Sequence, residues 1–238
     1  ARVYGNSAVC IGEPAVVSVD LTGTAPWSID IFDGTNTVPI NNIAKSPYLY
    51  TFTPLGNQTV TVLKVSDAHC TNVGNGSATV TVNELPDVVI SGENSICYGD
   101  QSAVVFTFTH GTAPYRLSYS VNGIMYHIPN IIPDATSHTY TLMVQPGMTS
   151  TYELSRVEDV NGCVRDVTGT IVVSVKPLPG TPGAITGKAL VCQGESNVVY
   201  SISSVANATN YEWSVPAGAT IVSGMGSQSI TVSFDNSY

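Results

Sequence analysis

Gly23-Thr-Ala-Pro-Trp27-Ser-Ile-Asp-Ile-Phe32 reads as a turn followed by a strand. Glycine and proline punctuate the chain, and then apolar and polar residues alternate, which puts Trp27, Ile29 and Ile31 on one face of a pleated strand. Asp33-Gly34 turns the chain again. The same opening returns as Gly111-Thr-Ala-Pro-Tyr115. Other landmarks surround it in the same order. Gly5-x4-Cys10-Ile-Gly12-Glu13 recurs as Gly92-x4-Cys97-Tyr-Gly99-Asp100, and again as Gly187-x4-Cys192-Gln-Gly194-Glu195. Val65-Ser-Asp67-Ala-His-Cys70 answers Val157-Glu-Asp159-Val-Asn-Gly-Cys163, and the stretch from Gly76 to Pro86 answers that from Gly169 to Pro179. Self-similarity at a fixed period marks an array of like domains. The units are 1–86, 87–179 and 180–238.

Within unit one, Ala15–Leu21, Trp27–Phe32, Tyr48–Thr53, Thr59–Val65 and Gly76–Val82 read as strands, and Leu85-Pro86 closes the unit because proline cannot extend a ladder. Unit two repeats the pattern through 103–109, 115–121, 139–144, 151–157 and 170–175, and unit three offers 198–202, 211–215, 220–223 and 229–234. Many short strands, with turns every 8–12 residues, predict an all-β chain of tandem immunoglobulin-like sandwiches, arranged as beads on a string. Trp27, Tyr115 and Trp213 stand at or near matching places, and recurrence favours core aromatics over a sugar-stacking platform, since every unit needs a core. Unit three has 59 residues and no second cysteine, which predicts an incomplete repeat at its C-terminal end and a piece of a longer polypeptide.

Composition agrees with strands. Of 238 residues, 32 are Val, 26 Thr and 25 Ser, and β-branched Val and Thr favour the pleated backbone. A hydrophobic content of 43% is enough to build a core, which argues against a disordered tail. Only 11% of residues are charged and the net charge is −9 with no basic cluster, which argues against nucleic acid as a partner. No apolar run is long enough for a membrane-spanning helix.

Five cysteines stand at Cys10, Cys70, Cys97, Cys163 and Cys192. Repeat logic pairs Cys10 with Cys70 and Cys97 with Cys163, each closing a loop of about 60 residues worth roughly 4 kcal/mol. Cys192 would find its partner beyond Tyr238. Two free buried thiols per unit, or a metal site, are the alternatives, though the cysteines lack the close pairing of structural zinc. Disulfides imply an oxidising, extracellular compartment. The sequons at Asn57, Asn75 and Asn207 are what chance gives in a chain this rich in Ser and Thr.

Catalysis needs converging groups. His69, His110, His127 and His138 are scattered, and the pairs Asp30/Asp33 and Glu158/Asp159 read as solvated strand and turn positions. Asp67 and Asp159 recur beside a turn, which fits an Asx turn or backbone cap. Glu84 and Asp87 flank the first junction and could hold calcium there, but Lys176 and Gly180 flank the second, so the pattern does not repeat. There is no phosphate loop and no nucleophile elbow. The expectation is a protein with no enzymatic activity, cofactor or metal.

Unit three carries Tyr211-Glu-Trp213-Ser-Val-Pro216-Ala-Gly218-Ala-Thr-Ile221-Val-Ser-Gly224-Met-Gly226 and then Ser229-Ile-Thr-Val-Ser-Phe234, a run that resembles PKD-like domains of Bacteroidota surface proteins. The Cys-x-Gly-Glu openings and Gly-Thr-Ala-Pro-Trp/Tyr turns resemble the tandem repeats of giant adhesins in that group, the SprB-like gliding-motility adhesins among them. The resemblance implies a stalk or adhesive filament at the cell surface, exported by type IX secretion machinery, with other parts of the full-length protein contacting an external surface or polysaccharide. It brings no catalytic residues. PKD-like domains also serve as spacers or weak glycan binders in secreted polysaccharide-degrading enzymes, which is the alternative expectation. Pro-bearing links such as Glu84-Leu-Pro86 and Pro177-Leu-Pro-Gly-Thr-Pro182 would stiffen the spacer.

Overall fold

A computed structural model describes residues 1–236, and every regular element among them is a strand. The first nine strands are β1 (Arg2–Tyr4), β2 (Ser7–Cys10), β3 (Ala15–Asp20), β4 (Trp27–Phe32), β5 (Thr37–Ile43), β6 (Tyr48–Phe52), β7 (Gln58–Ser66), β8 (Thr71–Asn72) and β9 (Ala78–Asn83). They form one sheet in the order β1-β3-β6 and another in the order β2-β9-β7-β4-β5, with β8 beside β7. The two inner faces come straight from the alternation. β3 buries Ala15, Val17 and Val19, β4 buries Trp27, Ile29 and Ile31, and β7 buries Val60, Val62 and Val65. Each fully buried Val or Ile contributes roughly 1.5–3 kcal/mol, and these side chains close one core with Val3, Ala78 and Val80. The chain changes sheets at Gly5, whose φ of +96° suits glycine, so β1 pairs antiparallel with β3 while β2 runs parallel to β9.

Strands β10 (Asp87–Gly92), β11 (Ser95–Cys97), β12 (Ser102–His110), β13 (Tyr115–Val121), β14 (Ile124–Ile131), β15 (Thr139–Val144), β16 (Ser150–Glu158), β17 (Val164–Asp166) and β18 (Thr170–Lys176) repeat this plan. Their sheets run β10-β12-β15 and β11-β18-β16-β13-β14, with β17 beside β16. Phe106 and Leu117 are fully buried, Phe106 lies 5.9 Å from the Tyr119 ring, and Phe108 stacks on Tyr115 at 4.5 Å. Then β19 (Thr186–Gly187), β20 (Val198–Ser201), β21 (Ala219–Ser223) and β22 (Ser229–Phe234) form a sheet in the order β19-β20-β22-β21. Val198, Ile230, Val232 and Phe234 are its buried core, with Trp213 and Val215 packed against them.

The all-β, immunoglobulin-like reading therefore stands. The chain divides into two compact units, one of residues 1–93, 103–144 and 150–172, the other of residues 94–102, 145–149 and 173–236. Segment 211–215, read as a strand from its alternation, is irregular. Strands β5 and β14 carry Pro39 and Pro129 inside largely exposed edge runs, so neither shows the buried alternation that would have marked it.

Candidate functional site

Two turns are built alike around an aspartate. Asp67 Oδ1 accepts from the backbone N–H groups of His69 (2.8 Å) and Cys70 (2.7 Å), while Oδ2 accepts from Thr24 N–H (3.0 Å). Asp159 Oδ1 accepts from Asn161 and Cys163 N–H (both 2.9 Å), and its Oδ2 from Thr112 N–H (3.0 Å). Each carboxylate thus ties the turn bearing a cysteine to the Gly-Thr-Ala-Pro turn. Three backbone donors favour the ionised form, and they hold the Asp67 carboxyl at about 2, below its ordinary 3.8. Gly23 makes room for this clasp. Its φ is +108°, and a Cβ there would stand 2.3 Å from Asp67 Oδ2. The aromatic that follows each turn is tied back as well. Trp27 Nε1 donates to the Thr22 carbonyl at 3.1 Å, and the Tyr115 hydroxyl donates to the His110 carbonyl at 3.1 Å. Trp27 and Tyr115 are both buried, and burial, with the Asp159 charge second, pushes the Tyr115 phenol up.

The Cys-x-Gly-Glu/Asp openings are tight turns. Glu13 N–H donates to Cys10 O (3.0 Å), Asp100 N–H to Cys97 O (3.0 Å) and Glu195 N–H to Cys192 O (3.1 Å). Gly12, Gly99 and Gly194 hold the third position at φ of +88°, +93° and +70°, the value a type II turn requires there. Glu13 Oε2 also accepts from Cys10 N–H (3.3 Å), as Glu195 Oε2 does from Cys192 N–H (2.9 Å). Glu195 pairs through its other oxygen with Lys188, which lowers the carboxyl and raises the amine.

These pieces meet where the first nine strands give way to the next. Cys10 lies opposite Asn83 at the end of β9, three residues before Pro86. Pro86 backs onto Gly111, where a Cβ would fall 2.8 Å from the proline ring. Thr112 follows, held by Asp159, which also holds Cys163. Cys10 and Cys163 form a disulfide with a Cα–Cα distance of 5.6 Å across 153 residues of sequence. This replaces the expected pairs Cys10–Cys70 and Cys97–Cys163. Cys70, Cys97 and Cys192 are exposed thiols.

Strand direction explains the change. β2 runs parallel to β9, so Cys10 ends beside Asn83. β9 is antiparallel to β7, with Gln58 opposite Val80, so Asn83 lies toward the start of β7. Cys70 follows the other end of β7, at Ser66. Eight steps of about 3.3 Å put the two cysteines at opposite ends of the sandwich, roughly 26 Å apart, where a bridge needs less than about 7 Å.

The remaining candidates do not converge. His127 Nδ1 contacts Ser118 Oγ (2.8 Å) and His110 Nδ1 contacts Thr109 Oγ1 (3.2 Å), both on exposed surface. Asp33 Oδ1 accepts from the N–H groups of Thr35 and Asn36 and shapes its own turn. Asp87, considered above for calcium, is paired with Arg165 at 3.2 Å. Among the described residues no group of three His, Cys, Asp or Glu is placed to hold a metal ion, and no helix is long and apolar enough to cross a membrane. Trp213 is only half-buried. Its Nε1 donates to Ser227 O (2.8 Å), and with Tyr211, Pro182 and Ile202 it lines an open cleft of about 450 Å³.

Residues 178–238 match the PKD-like domain family. Trp213, its cleft and strands β19–β22 all belong to this PKD-like segment. A three-immunoglobulin-domain segment of titin, an E-to-A mutated variant, resembles the chain with a TM-score of 0.50, covering 98% of this chain and 86% of that one at 11% identity. A marsupial T cell receptor does so with a TM-score of 0.50, covering 97% and 91% at 12% identity. At such identities the likeness is one of fold alone. No curated protein matches the chain.

Proposed function

We propose that this chain is a non-catalytic stalk segment of a large extracellular adhesin, made of three repeats at 1–86, 87–179 and 180–238, the last of them incomplete. The observation that carries this reading is the Cys10–Cys163 bridge, which joins the opening strand of the first repeat, where it ends beside Asn83, to the turn after β16 in the second, instead of closing a loop within one repeat. A bond so placed does little for the core of either sandwich and fixes the passage from one to the next, which is what a spacer under load needs. An oxidised bridge is also at home outside the cell, where surface attachment or gliding takes place. Net charge −9 keeps such a stalk soluble and off an anionic cell surface. Export by type IX secretion machinery, and contact with an external surface or polysaccharide through other parts of the full-length protein, belong to the same proposal. No nucleic acid, cofactor or metal takes part in it.

A second reading is favoured by one feature, the Tyr211–Trp213 cleft, whose aromatic lining suits weak stacking on a sugar ring. It would make the chain an accessory module of a secreted polysaccharide-degrading enzyme. Calorimetric titration of the chain with a panel of soluble polysaccharides separates the two. The stalk reading expects no heat of binding. Saturable binding that is lost in Trp213→Ala would overturn it in favour of the glycan module.

A further inference from the structure

We propose that Cys70 and Cys97 are the two open halves of further bridges of the Cys10–Cys163 kind, each bonding a cysteine of another repeat of this type. The bonded pair defines the two halves. One is a cysteine at the end of a strand that runs parallel to the closing strand of its sandwich, followed by a type II turn with glycine at positive φ. Cys10 is this half, and Cys97 reproduces it. β11 runs parallel to β18 with Cys97 opposite Lys176, Asp100 N–H returns to Cys97 O, and Gly99 has a φ of +93°. The other half is a cysteine whose N–H is held by an aspartate clasped to the Gly-Thr-Ala-Pro turn. Cys163 is this half, and Cys70 reproduces it through Asp67 and Thr24. Both unbonded thiols are exposed, so a partner can reach them.

The partners follow from the geometry. Cys97 calls for a cysteine three or four residues beyond a clasping aspartate, as in Asp67-Ala-His-Cys70 or Asp159-Val-Asn-Gly-Cys163. Cys70 calls for a cysteine that opens a Cys-x-Gly-Glu/Asp turn. Each bond forms by thiol–disulfide exchange with the disulfide of an oxidoreductase. One thiol loses its proton and its thiolate attacks a sulfur of the oxidoreductase disulfide. The second thiolate then displaces that sulfur from the mixed disulfide. Two cysteines are oxidised to one bridge, and the oxidoreductase leaves as a dithiol.

Such bridges would interlock. Cys70 and Cys97 both lie inside the loop that Cys10–Cys163 closes. A bond from either to another repeat begins inside that loop and ends outside it, so no repeat could be drawn out without breaking sulfur–sulfur bonds. The inference goes beyond the stalk reading and rests on the cysteine geometry alone, so sugar binding by the chain would leave it standing.

Peptide mapping tests it. The protein is isolated from its source without reductant, with N-ethylmaleimide present throughout, then digested and analysed by mass spectrometry. The expected result is near-complete loss of alkylation at Cys70 and Cys97, with each cross-linked to a peptide carrying the complementary turn. Denaturing electrophoresis without reductant tells the sources apart, since a partner repeat in the same polypeptide leaves the size unchanged and one in a second copy doubles it. Alkylation of Cys70 or Cys97 in most molecules would overturn the proposal, as would capping by a small thiol or a bond from Cys70 to Cys10 or from Cys97 to Cys163. The 238-residue chain expressed alone is the control. There Cys70 and Cys97 should be alkylated in the folded state and Cys10 and Cys163 only after reduction; protection of Cys70 together with Cys10 would overturn the geometry itself.

Discussion

Pulling the chain by its two ends should give a length that depends on one bond. With Cys10 bonded to Cys163, tension entering at the N-terminus crosses from one sulfur to the other and bypasses everything between them. The separation is 153 residues. At about 3.3–3.6 Å per extended residue, breaking the bond frees roughly 500–550 Å of contour length. The assay is single-molecule force spectroscopy with handles at both termini, run with and without a thiol reductant and repeated on Cys163→Ala. Without reductant, the sandwich of β1–β9 should give no full unfolding event, because only β1 and β2 lie in the loaded path. With reductant, or in Cys163→Ala, the extra length should appear together with the unfolding of the bypassed strands. The expected intra-repeat pairs would behave otherwise. Cys10–Cys70 and Cys97–Cys163 enclose far shorter stretches, 60 and 66 residues by their numbering, and would each release roughly 200–240 Å. Increments of that smaller size, or no effect of reductant, would refute the bypass.

Equilibrium unfolding gives an independent check on the same bond. Cys163→Ala should lower stability by roughly 2–5 kcal/mol, whereas Cys70→Ala, at an exposed thiol, should stay within about 0.5 kcal/mol, both read by guanidinium titration. Leu117→Ala, at a site fully closed to solvent, should cost roughly 2–5 kcal/mol, while Ile124→Ala on the exposed start of β14 should change little. The Asp67 clasp should open in acid. Its folded pKa of about 2 lies below the ordinary 3.8, so the stabilisation is present above about pH 4 and is lost as pH falls toward 2. Amide exchange at Thr24 and Cys70 should therefore speed up over that range more than its intrinsic pH dependence accounts for, and Asp67→Asn should show the faster exchange already at neutral pH.

The alternation of β3, β4 and β7 and the recurrence of four landmarks made the sandwich legible, because buried faces write themselves into sequence at a period of two. Edge strands wrote nothing comparable. β5 and β14 expose most of their side chains and carry a proline, so their pairing with β4 and β13 comes from neighbours and not from their own pattern. The turn aspartates were visible as recurring residues, but their partners Thr24 and Thr112 were not, since each is bound through its backbone N–H, which any residue other than proline could supply. The cysteine pairing was misread for a reason of direction. Repeat logic assumes that each unit closes on itself. The parallel run of β2 beside β9 carries Cys10 to the far end of its sandwich, and nothing in residue spacing reveals whether an opening strand runs parallel or antiparallel to the closing one.

The placement of the bridge follows from where burial is plentiful and where it is thin. A sandwich that buries Val17, Val19, Ile29, Ile31, Val60 and Val80 has an apolar core that holds its two sheets together without help. The link Glu84-Leu-Pro86 has nothing of the kind. Its anchor is a single buried residue, Pro86, against Gly111. A disulfide inside either sandwich would add to an interaction already sufficient. Between Cys10 and Cys163, on either side of the link in sequence, it adds a covalent restraint that neither core supplies. The Asp159 clasp serves the same end, since a cysteine in an untethered turn would lose part of its constraint to loop movement, and three backbone N–H groups on one carboxylate remove that slack.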